Sequence, residues 1–242
     1  MGTAEKIPNS YLAIDIETTG LEAKRDRIIE IGAIKVKDGQ IVEQFQTMVN
    51  PHCGLSENIG SLTGITEAML ADAPGIEEII GGLVEFCEEE LPLLGHHVIF
   101  DYSFLKRAAV NGKLAFERDG LDTLKLCRHF MPEEEKKNLA AACAYYGIRR
   151  EQSHRALADA ADAHFLFQAL RQRHGEENPE AFAEKPLIYK VKREQPASKK
   201  QKEGLRYLLK YHKIDLPVQI DYLSRNEISR ITDKIILQYG RI

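Results

Sequence analysis

Residues 11–17, Tyr-Leu-Ala-Ile-Asp-Ile-Glu, form an apolar run broken only by Asp15 and Glu17. Side chains two apart on a strand share a face. A strand here therefore sets both carboxylates beside Tyr11 and Ala13, with Leu12, Ile14 and Ile16 on the opposite face. Like charges this close repel and lose hydration unless they are protonated, solvated or neutralised by a cation. Two structures satisfy that constraint. One is an edge strand with a wet face. The other is a buried strand whose carboxylates hold a hard divalent ion such as Mg²⁺ or Mn²⁺, which prefers carboxylate oxygen.

Two further strands read at 28–36 and 41–49, and Asp38-Gly39 between them is a strong hairpin signal. Helical spacing follows at 66–72 and 76–90, the second placing Ile79, Leu83 and Phe86 on one face. His97–Phe100 reads as a fourth strand, leading into a helix from Tyr102 to Val110 that Asn111-Gly112 stops. Helices at 137–146, closed by Gly147, and at 155–173 complete the pattern. Strands first and alternation afterwards predict an α/β domain with a mixed sheet. The domain is expected over 1–174. A linker with three prolines spans 175–197, and a small basic helical hairpin covers 198–242. In that hairpin Ser198/Gln201 and Ser224/Glu227 fit the capping box. Apolar residues recur at Leu205, Leu208 and Leu209 and at Ile228, Ile231 and Ile235.

Charge divides along the same boundary. Residues 185–242 hold fourteen basic and six acidic residues, so the net charge of −4 conceals a tail of +8 on a body of −12. A basic tail suits a polyanion, although many are simply solvated. Cys53, Cys87, Cys127 and Cys143 lack metal or disulfide spacing and read as reduced, buried residues of a cytosolic protein. No apolar run approaches the roughly 20 residues of a membrane span. The N-terminus has no signal-peptide core, and Lys6 stands where myristoylation would want Ser or Thr. The expected location is cytoplasmic.

Three more residues carry chemistry. Asp101 follows the expected strand His97–Phe100, where an α/β sheet usually presents ligand-binding groups. A helix N-cap is the other reading. His154 and Asp159 would point about 140° apart inside one helix. They can share a site only if His154 lies in the loop or first turn, an arrangement that Ser153 favours as helix starter. Asp162, one turn beyond Asp159, is a rival ligand.

In order and spacing, Asp15/Glu17, Asp101 and His154/Asp159 resemble the three motifs of the DEDDh exonucleases. That superfamily includes the proofreading epsilon subunit of bacterial DNA polymerase III, the exonuclease domain of Gram-positive replicative polymerases, ribonuclease T and oligoribonuclease. The likeness covers roughly 10–172 through AIDIETTGL (13–21), SLTGIT (61–66), FDYSFL (100–105), LDTLKL (121–126) and HRALADA (154–160). The epsilon and Gram-positive branch is the most similar. No Tyr stands four residues before Asp159, which disfavours the tyrosine subclass. His96-His97 replaces the family's usual His-Asn, for which a tuning effect is expected.

The resemblance implies an RNase H-like fold, a mixed central β-sheet flanked by helices, here with a C-terminal helical hairpin. It implies two divalent cations, Mg²⁺ or Mn²⁺. Set about 3.5–4 Å apart, they activate water and stabilise the leaving 3′-oxygen. Asp15 would bridge the ions. Glu17 and Asp159 would complete the nucleophile side, and Asp101 would act on the leaving-group side. His154 would be general base, since an unperturbed imidazole titrates at about 6.5. Thr18, Thr19, Gly20 and Leu21 resemble the turn that meets the terminal nucleotide. Leu62, Thr63 and Ile65 resemble the loop against which the last base packs, with core packing as the alternative. His97 and Phe104 complete the expected contacts. The expected partner is nucleic acid, DNA ahead of RNA, with no membrane. The tail would hold nucleic acid, dock a polymerase or other protein, or only stabilise the body. The alternatives in function are an RNA-trimming exoribonuclease and a silent binding or docking subunit.

Overall fold

The computed structural model describes residues 7–87, 91–150 and 154–241. Its strands are β1 (Tyr11–Thr18), β2 (Ile28–Lys37), β3 (Gln40–Met48), β4 (Leu93–Gly95), β5 (Asp119–Asp122) and β6 (Lys185–Pro186). Its helices are α1 (Glu57–Thr63), α2 (Glu67–Ala71), α3 (Ile76–Phe86), α4 (Ile99–Asn111), α5 (Thr123–Phe130), α6 (Leu139–Tyr145), α7 (Ala156–His174), α8 (Lys199–His212) and α9 (Arg225–Tyr239). Short 3₁₀ turns lie at Pro179–Phe182 and Ile220–Tyr222. The six strands form one mixed sheet in the order β3-β2-β1-β4-β5-β6. β1 runs antiparallel to β2 and parallel to β4.

The meander forms as the sequence predicts. Asp38 and Gly39 both take positive φ, 50° and 79°, as a two-residue hairpin turn with right-handed strand twist requires. β1 is not an edge strand. Leu12, Ile14 and Ile16 pack with Leu83, Leu93 and Leu105 on one sheet face. Tyr11 and Ala13 pack with Leu166, Phe167 and Leu170 of α7 on the other. Asp15 and Glu17 share this α7 face, so the fold must meet the cost of burying them.

α7 reaches that face because β2 makes room. A Cβ added at Gly32 would stand 2.1 Å from the Leu157 nitrogen and 2.3 Å from the Ala156 carbonyl carbon. Glycine thus lets the first turn of α7 lie directly on the β2 backbone. Gly32→Ala should push α7 outward and cost about 1–3 kcal/mol, the usual range for overpacking. A urea titration that matched wild type would show the packing there to be slack.

Two expectations need correction. His97–Phe100 is not a strand: the strand is Leu93–Gly95, and Ile99 and Phe100 already belong to α4. The helix expected from Tyr102 therefore starts three residues earlier. The expected linker, 175–197, lies along the body. Phe182 is buried in the α7-side core, β6 pairs with β5, and Glu194 N–H donates to Asn111 Oδ1 at 3.0 Å. The end of the helix expected over 76–90, and Ser153, lie outside the described residues.

The C-terminal helices form with both capping boxes in place and enclose a core of their own, including Leu205, Leu208, Leu209, Ile228 and Ile235. They also seat on the body. Gly54 N–H donates to the Pro217 carbonyl at 2.8 Å and Gln219 N–H to the His52 carbonyl at 2.9 Å. His52 and Tyr222 stack, and Arg27 pairs with Glu227 at 2.7 Å. No helix among the described residues is long and apolar enough to cross a membrane.

Candidate active site

Glu17 faces Glu30, and Asp15 faces Gly32, across the β1–β2 ladder. From the other side comes Asp101, in the first turn of α4 and 4% exposed. The helix N-cap is Val98, so Asp101 is not the cap. Its Oδ1 accepts the Ile16 N–H at 3.1 Å, fastening α4 to β1 between the two β1 carboxylates. Asp159, also buried, enters from the first turn of α7.

His154 lies two residues ahead of α7, exposed, with φ at 59°. Its N–H donates to Asp159 Oδ2 at 3.3 Å. The left-handed backbone turns the ring back toward the strand. Glu17, His154 and Asp159 thereby each offer a ligand atom, all within 4.8 Å of one another. Asp162 stands apart from that group among the described residues, and Arg150 forks between it and Asp159.

Sequence reasoning passed over Glu30 and Arg150. Glu30 is fully buried and accepts from Arg155 Nη2 at 2.9 Å, from the Ala156 N–H at 3.2 Å and from Gln46 Nε2 at 3.0 Å. It satisfies the free Ala156 N–H at the start of α7 and so fixes the helix that carries Asp159. An acid inside the apolar run 28–36 was the available signal. It is the same anomaly that marks Asp15 and Glu17.

Burial governs the electrostatics. It pushes Asp15 well above the usual carboxylate range, helped by Asp101, Asp159, Glu17 and Glu30. Burial and then Asp159 and Glu30 raise Glu17 to about 7. Burial lifts Asp101 to about 8, opposed by its backbone hydrogen bonds. It raises Asp159 too, against the pull of Arg150. The donor set is all hard oxygen plus one imidazole, and its charges cannot coexist without protons or a cation. It fits a divalent ion.

A pH dependence follows. A carboxyl raised above its unfolded value of about 4 binds its proton more tightly in the folded chain. Between about 4 and 8 the folded state then holds more protons than the unfolded, so stability falls as pH rises. Without divalent ions, the melting temperature should drop from pH 5 to pH 8. Mg²⁺ or Mn²⁺ should restore it more at pH 8 than at pH 5. Equal restoration at both values would contradict cation binding by these carboxylates.

The expected substrate contacts separate into two layers. The Thr18 hydroxyl donates to the Gly20 carbonyl at 2.6 Å, and Thr19 Oγ1 accepts the Arg27 N–H at 3.0 Å. Their hydroxyls build the turn, which holds Leu21 85% exposed. Leu62 is likewise exposed, at 54%, whereas Thr63, Ile65 and Phe104 are buried behind the surface. His97 is exposed with φ at 77°, its N–H donating to Asp122 Oδ1 at 3.1 Å. Asn, Asp and His adopt such a backbone more readily than other residues. That accounts for histidine where asparagine is usual. His96 is held by the Lys137 carbonyl at 2.7 Å and lies 2.9 Å from Thr123 Oγ1, with burial lowering its pKa.

An exonuclease family model, RNase T, matches residues 12–167. The PolC-type DNA polymerase III of Clostridium perfringens is 37% identical over 159 residues, covering 66% of this chain and 11% of that protein. The chain thus spans about a tenth of the length of the curated relatives it matches. Among solved structures, exonuclease X in complex with 5′ overhanging duplex DNA is 26% identical, with a TM-score of 0.56 over 72% of this chain and 99% of that one. The nuclease domain of 3′hExo, a DEDDh family member bound to rAMP, shares the fold at 20% identity. Its TM-score is 0.58 over 69% of this chain and 93% of that one.

Proposed function

Since this chain belongs to the exonuclease family, we propose that it is a divalent-metal-dependent 3′→5′ exonuclease that releases nucleotides from single-stranded DNA. One observation carries the reading. Asp15, Glu17, Asp101 and Asp159 repel one another where burial raises all four, with His154 beside them.

Asp15 would hold both ions. Glu17 and Asp159 would hold the ion on the nucleophile side, and Asp101 would serve the leaving-group side. When bound, such a pair supplies Lewis acidity to the attacking and departing oxygens. His154, exposed at the rim, takes the proton of the attacking water and gives it up to solvent. Glu30 and Arg155 keep α7, and with it Asp159, at a fixed distance from β1. Arg150 ties Asp159 to Asp162 one turn on by pairing with both. The terminal nucleotide rests on the turn Thr18-Thr19-Gly20-Leu21, with its base between Leu21 and Leu62 and its backbone near His97. Thr63, Ile65 and Phe104 support this surface from beneath. A frayed single-strand end suits such an apolar platform.

The solved neighbours include one with DNA and one with rAMP, so RNA trimming is the second reading. A polymerase partner for the C-terminal module is suggested by the PolC-type relatives. The deciding assay is digestion of DNA and RNA of one sequence, each labelled at the 5′ or the 3′ end. Release of the 3′ label as mononucleotide, with a ladder from the 5′ label, is expected, faster on DNA. Faster cutting of RNA would replace the substrate assignment, and a single internal product would overturn the exonuclease reading.

A further inference from the structure

The candidate site is rich in acid: Glu30 and Asp162 stand beside the four ligand carboxylates, against the two cations Arg150 and Arg155. Bound cations would neutralise its centre. The strand behind the last nucleotide still carries a phosphate at every step, and the body it must cross is negative overall. A nuclease so built needs positive charge along the strand's path.

One groove among the described residues has that character. About 660 Å³ in volume, it lies between Lys24, the segment Tyr189–Glu194 and the outer side of α9 at Asn226, Ser229, Arg230 and Asp233. Its cations are Lys24, Arg107, Lys190, Lys192, Arg193 and Arg230. Its acids are Glu194 and Asp233. Six against two leaves it four units positive in a chain of net charge −4.

The walls are fastened to one another. Arg107 donates to the Ala23 carbonyl at 2.7 Å and to Glu194 at 3.0 Å. Asn111 holds the Glu194 N–H. Arg27 reaches Glu227 on α9, and its backbone closes the turn onto Thr19. This fastening uses Arg107 and Glu194. It leaves Lys24, Lys190, Lys192, Arg193 and Arg230 exposed, and none pairs with a carboxylate among the described residues. Lys24 stands three residues beyond Leu21, so the groove opens where the turn for the terminal nucleotide ends.

We propose that this groove is the track for the sugar–phosphate backbone of the strand being shortened. The proposal rests on the exonuclease reading and extends it. Two of the three walls, 189–194 and α9, lie outside the residues 12–167 shared with the family. The C-terminal module then serves as a wall of the track through Arg230, and the segment 190–193 supplies three of the other cations.

The test uses the full chain carrying Lys24→Ala, Lys190→Ala, Lys192→Ala and Arg230→Ala together, with Arg230→Glu as a single, milder variant. KM is measured in Mg²⁺ for a single strand of about 20 nucleotides and for a dinucleotide too short to reach the groove. The quadruple variant should raise KM for the long strand about tenfold or more. It should also flatten the dependence of log KM on log salt by about 0.7 for each phosphate left without its cation. Dinucleotide turnover should stay at the wild-type level. Arg230→Glu should shift KM in the same direction. An unchanged KM and salt slope on the long strand would overturn the track, as would equal losses on both substrates. If wild type cuts neither substrate, the exonuclease reading falls. Fluorescence anisotropy of the long strand, wild type against variant, then decides the groove on its own.

Discussion

Asp15→Asn should stop hydrolysis and at the same time make the metal-free protein more stable at pH 8. The two effects have one cause. Asp15 sits on a central strand with carboxylates on both sides, and burial together with Asp101, Asp159 and Glu17 opposes its ionisation. Removing the charge while keeping the shape relieves that repulsion, so the melting temperature without divalent ions should rise. The same change removes the carboxylate proposed to hold the cations. Lewis-acid stabilisation is worth several kcal/mol, and each 1.4 kcal/mol or so is tenfold in rate. Turnover should therefore fall by about a thousandfold or more. Calorimetric titration should show Mn²⁺ affinity lost with it. A variant that lost activity and also melted earlier would point to Asp15 as a structural group.

His154→Ala should separate the two properties. His154 is exposed, precedes α7 and makes its hydrogen bond through the backbone N–H, which alanine keeps. Alanine at the left-handed φ of 59° should cost about 1 kcal/mol of stability, and Mn²⁺ affinity should stay close to wild type, while turnover falls by about 10²–10⁴, the usual contribution of a positioned general base. The imidazole also lies within ligand distance of Glu17 and Asp159. If His154→Ala weakened Mn²⁺ as much as Asp15→Asn, His154 would be a metal ligand and the proton acceptor would have to be sought elsewhere.

The sequence made some parts of this fold legible because their signals are local. The carboxylates of β1 stand out against apolar neighbours, Asp38-Gly39 dictates its turn, and Ser198 and Ser224 announce their helices within four residues. Leu93–Gly95 was hidden because it has three residues and pairs only with strands distant in sequence. Val98, Ile99 and Phe100 imitated a strand because α4 is buried on nearly every side. Six consecutive residues from Asp101 to Lys106 are buried, so helical periodicity is erased there. β5, also short, escaped for the same reason as β4. In the expected linker, Pro179 and Pro186 read as breakers. A break in periodicity does not distinguish a free segment from one laid along a body, as Phe182 and Glu194 are.

Among the catalytic candidates, residue types and order were legible, but their geometry was not. Asp101 reaches β1 through a backbone hydrogen bond spanning 85 positions, and Glu30 meets Arg155 across 125. No periodicity reports such pairs. The groove at Lys24 and Arg230 is of the same kind. Four of its six basic residues belong to the charge excess of the tail, but their convergence with Lys24 and Arg107 beside the turn at Leu21 depends on how α9 docks.

The most direct measurement is digestion of a 5′-labelled single strand by wild type and Asp15→Asn side by side, with Mg²⁺, with chelator, and with Mn²⁺ restored after chelation. A ladder is expected that shortens from the 3′ end with wild type, vanishes in chelator, returns with Mn²⁺ and is missing throughout in the variant. Full-rate digestion in chelator, or a ladder of wild-type intensity from Asp15→Asn, would contradict it.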